Sequence, residues 1–342
     1  EGKAMSHFGL ISVTTARRTV SVLDVMMFAV VSAALVTGFA VSVAGGQDAL
    51  ASSYQQAQIY YPVEKPAAAA TQEPVAIKPA APTESNPTIK QLAKSGHGFR
   101  STFGSESIED KFWLSETHAI DTFYGGRWAP ENAITTPQGL ALQVKREPEQ
   151  DIPFSIAEAR SKQRVGYGRY EAVMQVGKGS GLVSAFFTYT GPYAGDPHDE
   201  VDIEFLGKDT SKVEFNYWRI GKHGKNAKFD LPFDASAAPH LYAFEWLPDR
   251  ITWYVDGVAY YSTEPDDAFI PRTSGRLYFS HWTGVPKMQG WHGKPKFKSG
   301  EATIVSCTSF TPVNESTQTC GDSFRPTLAG TAENHIYATL SP

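Results

Sequence analysis

Cysteine and clustered metal ligands are scarce in this 342-residue sequence. Only Cys307 and Cys320 occur, so at most one intrachain disulfide can form. The pair could close a small loop worth ~3 kcal/mol, or it could remain two unrelated free thiols. The nine histidines include no pair spaced two or four residues apart, and the cysteines lie far from them. The sequence therefore predicts no metal site, since a catalytic metal needs convergent ligands.

A basic surface is also missing from the composition. The net charge is −5, and acidic and basic residues are mixed along the chain, whereas a nucleic-acid-binding face is rich in lysine and arginine. No glycine-rich phosphate loop precedes a helix, so nucleotide binding has no support. These absences exclude nucleic acid from the expected partners.

Only one long apolar run is present, at residues 25–44. Arg17 and Arg18 precede it, which is the order expected of a signal peptide or of a membrane anchor whose N-terminus stays inside. The run is just long enough to span a bilayer as a helix. We assign residues 1–46 to a signal peptide or N-terminal membrane anchor and leave both open. Either predicts export: a protein that is secreted, periplasmic or anchored to the cytoplasmic membrane and facing outward.

Residues 47–96 are rich in alanine, proline, glutamine, glutamate and lysine, with six prolines and no apolar periodicity. Such a composition is typical of an extended, disordered linker. The polar, Thr/Pro-rich residues 312–342 are expected to form a loosely ordered tail. Residues 97–311 remain as a single folded domain, which we expect to be monomeric.

Within this domain, short runs rich in Val, Ile, Phe, Tyr and Trp alternate with polar residues and end at Gly, Pro or Asp. No helical stripe of three turns interrupts them. Many short strands at regular spacing predict an all-β sandwich or barrel. Asp256-Gly257, between two β-rich arms, predicts a tight hairpin, because a type I′ turn needs two residues that tolerate positive φ.

The most informative segment is HDEVDIEFLG, at residues 198–207. In a strand, alternate side chains share a face, so Glu200, Asp202 and Glu204 are expected to point away from the core. Three carboxylates on one face repel one another and raise each other's pKa, which adds nothing to stability. Retaining hydrolysis of a glycosidic bond needs two such carboxyl groups flanking the bond. The alternative is a solvated acidic strand face.

These residues resemble glycoside hydrolase family 16, whose pattern is Glu-x-Asp-x-Glu. The resemblance covers about residues 99–309 and includes VGYGRYEAVMQV, SAFFTYTGPY and DEVDIEFLGKDTSKVEFNYW. Within the family it is strongest to bacterial β-1,3-1,4-glucanases (lichenases) and to endoglycanases that depolymerise rhizobial succinoglycan. It implies a concanavalin-like jelly-roll β-sandwich with a curved substrate cleft. It also implies that Glu200 is the nucleophile, Asp202 its assisting partner and Glu204 the general acid/base.

The resemblance further implies a group of substrate-binding residues that line the sugar cleft. They are Glu158, Arg160, Phe187, Tyr189, His198, Asn216, Trp218 and Trp282. Aromatic rings of this kind stack on pyranose faces, whereas the polar side chains bind hydroxyl groups. Taken singly, the aromatic residues could equally be core residues.

Several positions depart from the lichenase pattern. His198 stands where those enzymes usually carry tryptophan, and Ser280 replaces a cleft asparagine. The acidic residue that helps to hold a structural calcium ion in lichenases is missing near Thr303, so calcium is doubtful and no cofactor is expected.

A cationic segment, RIGKHGKNAK, follows Trp218 in what is expected to be a single hairpin loop. Its positive charges could favour an anionic polysaccharide, or the loop could simply be solvated. Its cationic residues are Arg219, Lys222, Lys225 and Lys228, with His223 beside them.

The sequence thus predicts a retaining endo-β-glucanase acting on a β-1,3/1,4-linked glucan or on a glucose-rich acidic exopolysaccharide such as succinoglycan. Transglycosylation of the same polysaccharides is the alternative enzymatic reaction. A non-catalytic carbohydrate-binding β-sandwich is the alternative from another class of protein.

Overall fold

The computed structural model describes residues 96–104, 107–117, 123–148 and 150–325. The predicted signal or anchor segment, almost all of the predicted linker and the end of the predicted tail lie outside the described residues. Among the residues that are described, no helix has the length and apolar character needed to cross a membrane.

The described residues form seventeen strands, and their helices are limited to single turns. The strands are Phe99–Ser101 (β1), Phe112–Leu114 (β2), Arg127–Trp128 (β3), Ala133–Thr136 (β4), Gly139–Arg146 (β5), Phe154–Ser161 (β6), Gly168–Gln175 (β7), Leu182–Thr190 (β8), Asp199–Leu206 (β9), Lys212–Arg219 (β10), Lys222–His223 (β11), Ala227–Asp230 (β12), His240–Trp246 (β13), Ile251–Val255 (β14), Val258–Ser262 (β15), Arg276–Thr283 (β16) and Glu301–Pro312 (β17). The α-helical turns are Ile108–Lys111, Gln289–His292 and Cys320–Ser323, and the 3₁₀ turns are Pro130–Asn132, Pro192–Ala194 and Pro286–Met288.

Apart from the short β3, which pairs in parallel with β6, the strands build two antiparallel layers, as the alternating pattern predicts. In the front sheet the order is β10-β9-β8-β16-β6-β2, with β11 and β12 both paired to β10. In the back sheet the order is β15-β14-β13-β7-β17, with β5 and β1 on the far side of β17 and β4 beyond β5. Pairing of β5 with β6 joins the two sheets. The predicted all-β jelly-roll sandwich is confirmed.

Strand β9 shows the predicted alternation. Val201, Ile203 and Phe205 are fully buried in the core between the sheets, so the acidic residues between them lie on the opposite, front face. Trp253 of the back sheet donates a hydrogen bond from Nε1 to the backbone carbonyl of Asp202 (3.0 Å). The core therefore fixes both the register of β9 and the side on which its acids lie.

The predicted Asp256-Gly257 hairpin is also confirmed. Both residues have positive φ, 49° and 81°, and they connect the paired residues Val255 and Val258. The Asp256 carboxylate accepts hydrogen bonds from His240 Nδ1 (2.7 Å) and from the backbone N–H of Leu241 (2.9 Å). These bonds attach the turn to the start of β13.

The C-terminal segment differs from the expectation of a loosely ordered tail. Cys307 on β17 forms a disulfide with Cys320, and Phe324 packs against this pair. The backbone N–H of Gly321 donates to the Glu171 side chain (2.7 Å). Residues 312–325 thus contact the back sheet, because one covalent bond and a few buried groups offset the polar composition of the segment.

The aromatic core between the sheets makes a first prediction. Phe186 of the front sheet stacks on Phe279 (ring centroids 5.1 Å apart) and contacts Phe244 of the back sheet (5.4 Å), and it is fully buried. Phe186→Ala should lower the free energy of unfolding by about 3–5 kcal/mol, since it removes contacts to both sheets and leaves a cavity. The free energy of unfolding is measured by urea titration, and the m-value is expected to stay unchanged.

Val258→Ala, at a side chain that is 48% exposed on β15, is the control and should change the stability by less than about 0.5 kcal/mol. Equal destabilisation by the two substitutions would contradict this account of the core.

Candidate active site

The front face of the sandwich carries rows of side chains that run across the strands through the acids of β9. Register places each acid between one residue of β8 and one of β10, and residues directly opposite share a face. The row through Glu200 contains Tyr189 and Trp218, the row through Asp202 contains Phe187 and Asn216, and the row through Glu204 contains Ala185 and Glu214. The row through Glu200 continues to Arg276 of β16. The row through Asp202 continues to Tyr278 of β16 and Arg160 of β6, and the row through Glu204 continues to Ser280 of β16 and Glu158 of β6.

Glu200 is held by two hydrogen-bond donors. His198 Nε2 donates to its Oε2 (2.6 Å), and Asp202 donates a hydrogen bond to the same carboxylate from its neighbouring place on the strand. His198 is buried, with its ring stacked on Trp218 (5.4 Å) and contacted edgewise by Tyr189 (5.2 Å). Two donors and two aromatic neighbours therefore fix the position of the Glu200 carboxylate.

Asp202 supplies its bond because it is protonated. Burial raises the pKa of Asp202 well above its ordinary value, and the charges of Glu200 and Glu204 raise it further. A protonated Asp202 separates the two glutamates without adding a third negative charge. This environment suits the assisting role that the sequence assigns to Asp202.

Glu204 has a different environment from that of Glu200. Burial raises the pKa of Glu204 to about 8, and the neighbouring charges of Glu214 and Glu200 contribute to the rise. Asn216 donates to its Oε2 (2.6 Å), which together with the charge of Lys228 opposes the rise. Glu204 is therefore protonated at neutral pH, as a general acid must be.

Glu158 lies on the same face, on β6, three strands away from β9. Ser115 donates to its Oε1 (2.6 Å). Burial raises the pKa of Glu158 to about 7, partly offset by the Ser115 hydrogen bond and the positive charge of Arg160. The charge of Glu200 adds to the rise. Glu158 can thus offer either a hydroxyl donor or a carboxylate acceptor near neutral pH.

The aromatic residues of the predicted cleft fall into two groups. Tyr189 and Trp218 are partly exposed beside Glu200. Phe187 is 9% exposed and stacks on Tyr278 (4.9 Å), and Trp282 is 4% exposed in a cluster with Phe123. Phe187 and Trp282 are on the predicted face, but neighbouring rings cover them, so they support the cleft wall more than they form its surface.

Sequence reasoning missed several residues of this site. Glu214 was within reach, because it precedes Asn216 by two positions on β10 and alternation puts both on one face. Ser115 and Trp291 gave no local signal. Trp291 donates from Nε1 to Glu214 (3.1 Å) across 77 positions of sequence, a contact that only the fold creates.

The cationic segment after Trp218 is not one loop, contrary to the expectation. Arg219 and Lys222 are opposite each other in the backbone ladder of a tight hairpin between β10 and β11. Lys228 lies on β12 instead and forms an ion pair with Glu214. Arg219 donates from its guanidinium to the carbonyl of Ala268 (2.9 Å). Lys222 and Lys225 are exposed.

The position expected to lack a calcium ligand carries a neutral network. Thr303 is buried, and its hydroxyl donates to Ser184 (2.6 Å) beside His281. Burial lowers the pKa of His281 to about 4, so this network has no charge at neutral pH. Among the described residues, no group of three acidic, histidine or cysteine side chains is arranged for a metal ion.

Three acids on one strand of the front sheet of a jelly-roll sandwich, two of them glutamates, are the groups that a retaining glycoside hydrolase requires. Residues 121–301 match the sequence profile of the glycosyl hydrolases family 16, and the chain belongs to this family. The beta-glucanase of Bacillus subtilis (strain 168) is 39% identical over 199 residues, which cover 58% of this chain and 80% of that protein. The beta-glucanase of Bacillus amyloliquefaciens is 40% identical over 200 residues, covering 58% and 81%.

Solved structures agree with this assignment. The crystal structure of a prokaryotic beta-1,3-1,4-glucanase (lichenase) derived from a mouse hindgut metagenome superimposes with a TM-score of 0.59. Its sequence is 33% identical, and the match covers 64% of this chain and 100% of that one.

Glu214 of β10 lies directly opposite Glu204 of β9, and this leads to a second prediction. Glu214→Gln removes a negative charge that faces Glu204 across the strands, so the pKa of Glu204 should fall by about one pH unit. Lys228→Gln removes a neighbouring positive charge and should move the same pKa upward. Both shifts can be followed by NMR titration of carboxyl-labelled glutamate.

The other acids near Glu204, namely Glu200 and Asp202, remain in both variants. A shift in the same direction in both variants would contradict this account of the Glu204 environment.

Proposed function

We propose that the protein is a retaining endo-β-glucanase that hydrolyses β-1,3/1,4-linked glucan or a glucose-rich acidic exopolysaccharide. The main support is the contrast between two glutamates on one strand. Glu200 is a carboxylate held by donors from His198 and Asp202, whereas burial and neighbouring acids raise the pKa of Glu204 to about 8. A nucleophile and a protonated acid are the two groups that retention requires.

The reaction follows from these protonation states. Glu204 donates its proton to the oxygen of the scissile glycosidic bond as that bond breaks, and Glu200 attacks the anomeric carbon to form a glycosyl-enzyme ester. Glu204, now a carboxylate, removes a proton from water, which displaces Glu200 and restores both groups. Two inversions leave the anomeric configuration unchanged. As the ester forms, the charge of Glu200 is lost.

An endo mode of attack is supported by the extent of the front face. Side chains able to contact sugars lie on β10 on one side of the acids and on β8, β16 and β6 on the other. A polysaccharide can therefore contact the protein on both sides of the bond to be cut. The names of the relatives, beta-glucanase and lichenase, favour a glucan.

The function makes a third prediction. Glu200→Gln should lower kcat by at least roughly two to three orders of magnitude, because no other group can replace the nucleophile. Reducing ends and viscosity are measured with lichenan, laminarin and succinoglycan, and NMR of the first product reports its anomeric configuration. Glu264→Gln, at an exposed acid on another part of the surface, should retain full activity.

Three outcomes bear on this proposal. Inverted product or an active Glu200→Gln variant would refute the mechanism. Products longer than the substrate would show transglycosylation, in which a sugar hydroxyl replaces water on the same intermediate. Binding without cleavage of any of the polymers would favour the non-catalytic alternative.

The proposal also specifies that the polysaccharide is anionic. The exposed Lys222 and Lys225 follow Trp218 and lie at the β10 end of the front face. Cations there can attract succinyl or pyruvyl groups on a polysaccharide by Coulomb forces, which salt weakens.

The fourth prediction tests these two lysines. Lys222→Gln/Lys225→Gln should lower kcat/KM for succinylated succinoglycan by roughly three- to tenfold at low salt and leave that for desuccinylated polymer unchanged. The double variant Lys296→Gln/Lys298→Gln, at exposed lysines elsewhere, carries the same loss of charge as a control. Equal effects of the two double variants, or equal loss on both polymers, would reject the role of the hairpin.

Export is proposed for the chain as well. The Cys307–Cys320 disulfide is typical of proteins that fold in an oxidising compartment. The basic-then-apolar order of residues 17–44 fits a signal peptide or an anchor. Both features agree with a polysaccharide substrate outside the cytoplasm.

A further inference from the structure

Three cationic residues lie together where β16, β6 and β2 form one side of the front face. Arg160 is on β6, and Arg276 is on β16. Lys162 is exposed directly after the end of β6. These three residues, which we call the cation cluster, concentrate positive charge in a chain whose net charge is −5.

The cation cluster is compact. The guanidinium groups of Arg160 and Arg276 lie 5.7 Å and 4.6 Å from the centre of the Trp113 ring. They are therefore at most about 10 Å apart, which is roughly one Debye length at 0.1 M salt. Arg276 also donates from Nη1 to the backbone carbonyls of Ser161 (2.9 Å) and Lys162. Trp113 thus orients the two guanidinium groups through cation–π contacts.

The cation cluster has no counter-charge among the residues that the structure describes. Within that part of the chain, none of its members forms an ion pair with an acid, whereas the nearby Arg164 is paired with Asp196. The buried Nε of Arg160 also finds no hydrogen-bond partner there, although buried donors are normally paired. Cations this close repel one another, so the arrangement adds nothing to stability and indicates an anionic ligand.

Glu158, on the same strand as Arg160, does not neutralise the cation cluster. Its Oε1 accepts a hydrogen bond from Ser115 (2.6 Å), and burial raises its pKa to about 7. At pH 7 it therefore carries roughly half of a negative charge. Three full positive charges remain largely uncompensated.

A carboxylate is the anion that fits the cation cluster best. Guanidinium groups bind the two oxygens of a carboxylate through paired hydrogen bonds, and a lysine ammonium adds a point charge. Arg276 lies two strands from β9, or about 10 Å along the sheet. A group that reaches it therefore belongs to a sugar beyond the one that Glu200 attacks. A neutral glucan has only hydroxyl groups to offer, which do not require three cations.

We propose that Arg160, Lys162 and Arg276 form a carboxylate-binding site that recognises an acidic substituent of the polysaccharide, either a succinyl half-ester or a pyruvate ketal. The proposal rests on the proposed function and adds to it residues that select an acidic substrate. The site lies on the opposite side of β9 from Lys222 and Lys225. The two groups of cations would therefore bind different substituents of one chain.

The kinetic test compares an acidic with a neutral polymer. Arg276→Gln should lower kcat/KM about 10- to 100-fold for succinoglycan, the size of one lost hydrogen bond to a charged group, and less than about twofold for lichenan. Arg276→Lys keeps the charge and should restore part of the loss. Lys162→Gln changes an exposed side chain and should give a loss of about two- to fivefold on succinoglycan, which high salt removes.

The control for lost charge is Lys296→Gln/Lys298→Gln, at exposed lysines elsewhere, which should change neither rate. Succinoglycan stripped of succinyl groups, of pyruvyl groups or of both identifies the recognised substituent, because the Arg276→Gln loss should disappear on the form that lacks it. A loss that persists on the fully stripped polymer, or that is equal on lichenan, would mean a structural role and would overturn the site.

Binding is measured separately from catalysis. In a Glu200→Gln background, calorimetry with an oligosaccharide of native succinoglycan should show the same fold-loss of affinity for Arg276→Gln, and no loss with a lichenan oligosaccharide. Unchanged affinity for the acidic oligosaccharide would overturn the site. If wild type cleaves none of the polymers, the proposed function fails, while this comparison of affinities still decides whether the carboxylate site exists.

Discussion

The site depends on the constraint that the core places on β9. Val201, Ile203 and Phe205 fill the space between the sheets, and Trp253 holds the backbone carbonyl of Asp202 from the back sheet. A slip of one residue would put three acids into the core and three large apolar side chains into water. Because that exchange is prohibitive in free energy, the fold can keep mutually repelling carboxylates together on the outer side.

Identical side chains acquire different chemistry from what surrounds them. Glu200 accepts hydrogen bonds from His198 and Asp202. Glu204 sits among acids and is desolvated, and the Asn216 amide and Lys228 only partly offset this. The neutral Asp202 lies between them, and its proton serves Glu200. Strand β9 sets the spacing of the two glutamates, and residues of the neighbouring strands give each of them a different environment.

Period-two alternation made the fold class and the central residues predictable. It placed Glu200, Asp202 and Glu204 on one face, as the register shows. It could not show how far each ring is covered, because coverage depends on residues from other strands. Contacts such as Ser115 with Glu158 and Trp291 with Glu214 join distant segments, and no local pattern encodes them. The order of residues 312–325 was missed because it depends on one disulfide and on the surface it packs against.

Tyr189 connects the reacting groups with the rest of the front face. One part of its ring contacts His198, which holds Glu200, and its plane stacks on Tyr193. Tyr189 therefore links His198, the hydrogen-bond partner of Glu200, to the 3₁₀ turn that follows β8. The position of the Glu200 carboxylate thus depends on packing that reaches beyond β9, through His198 and Tyr189, to the turn after β8.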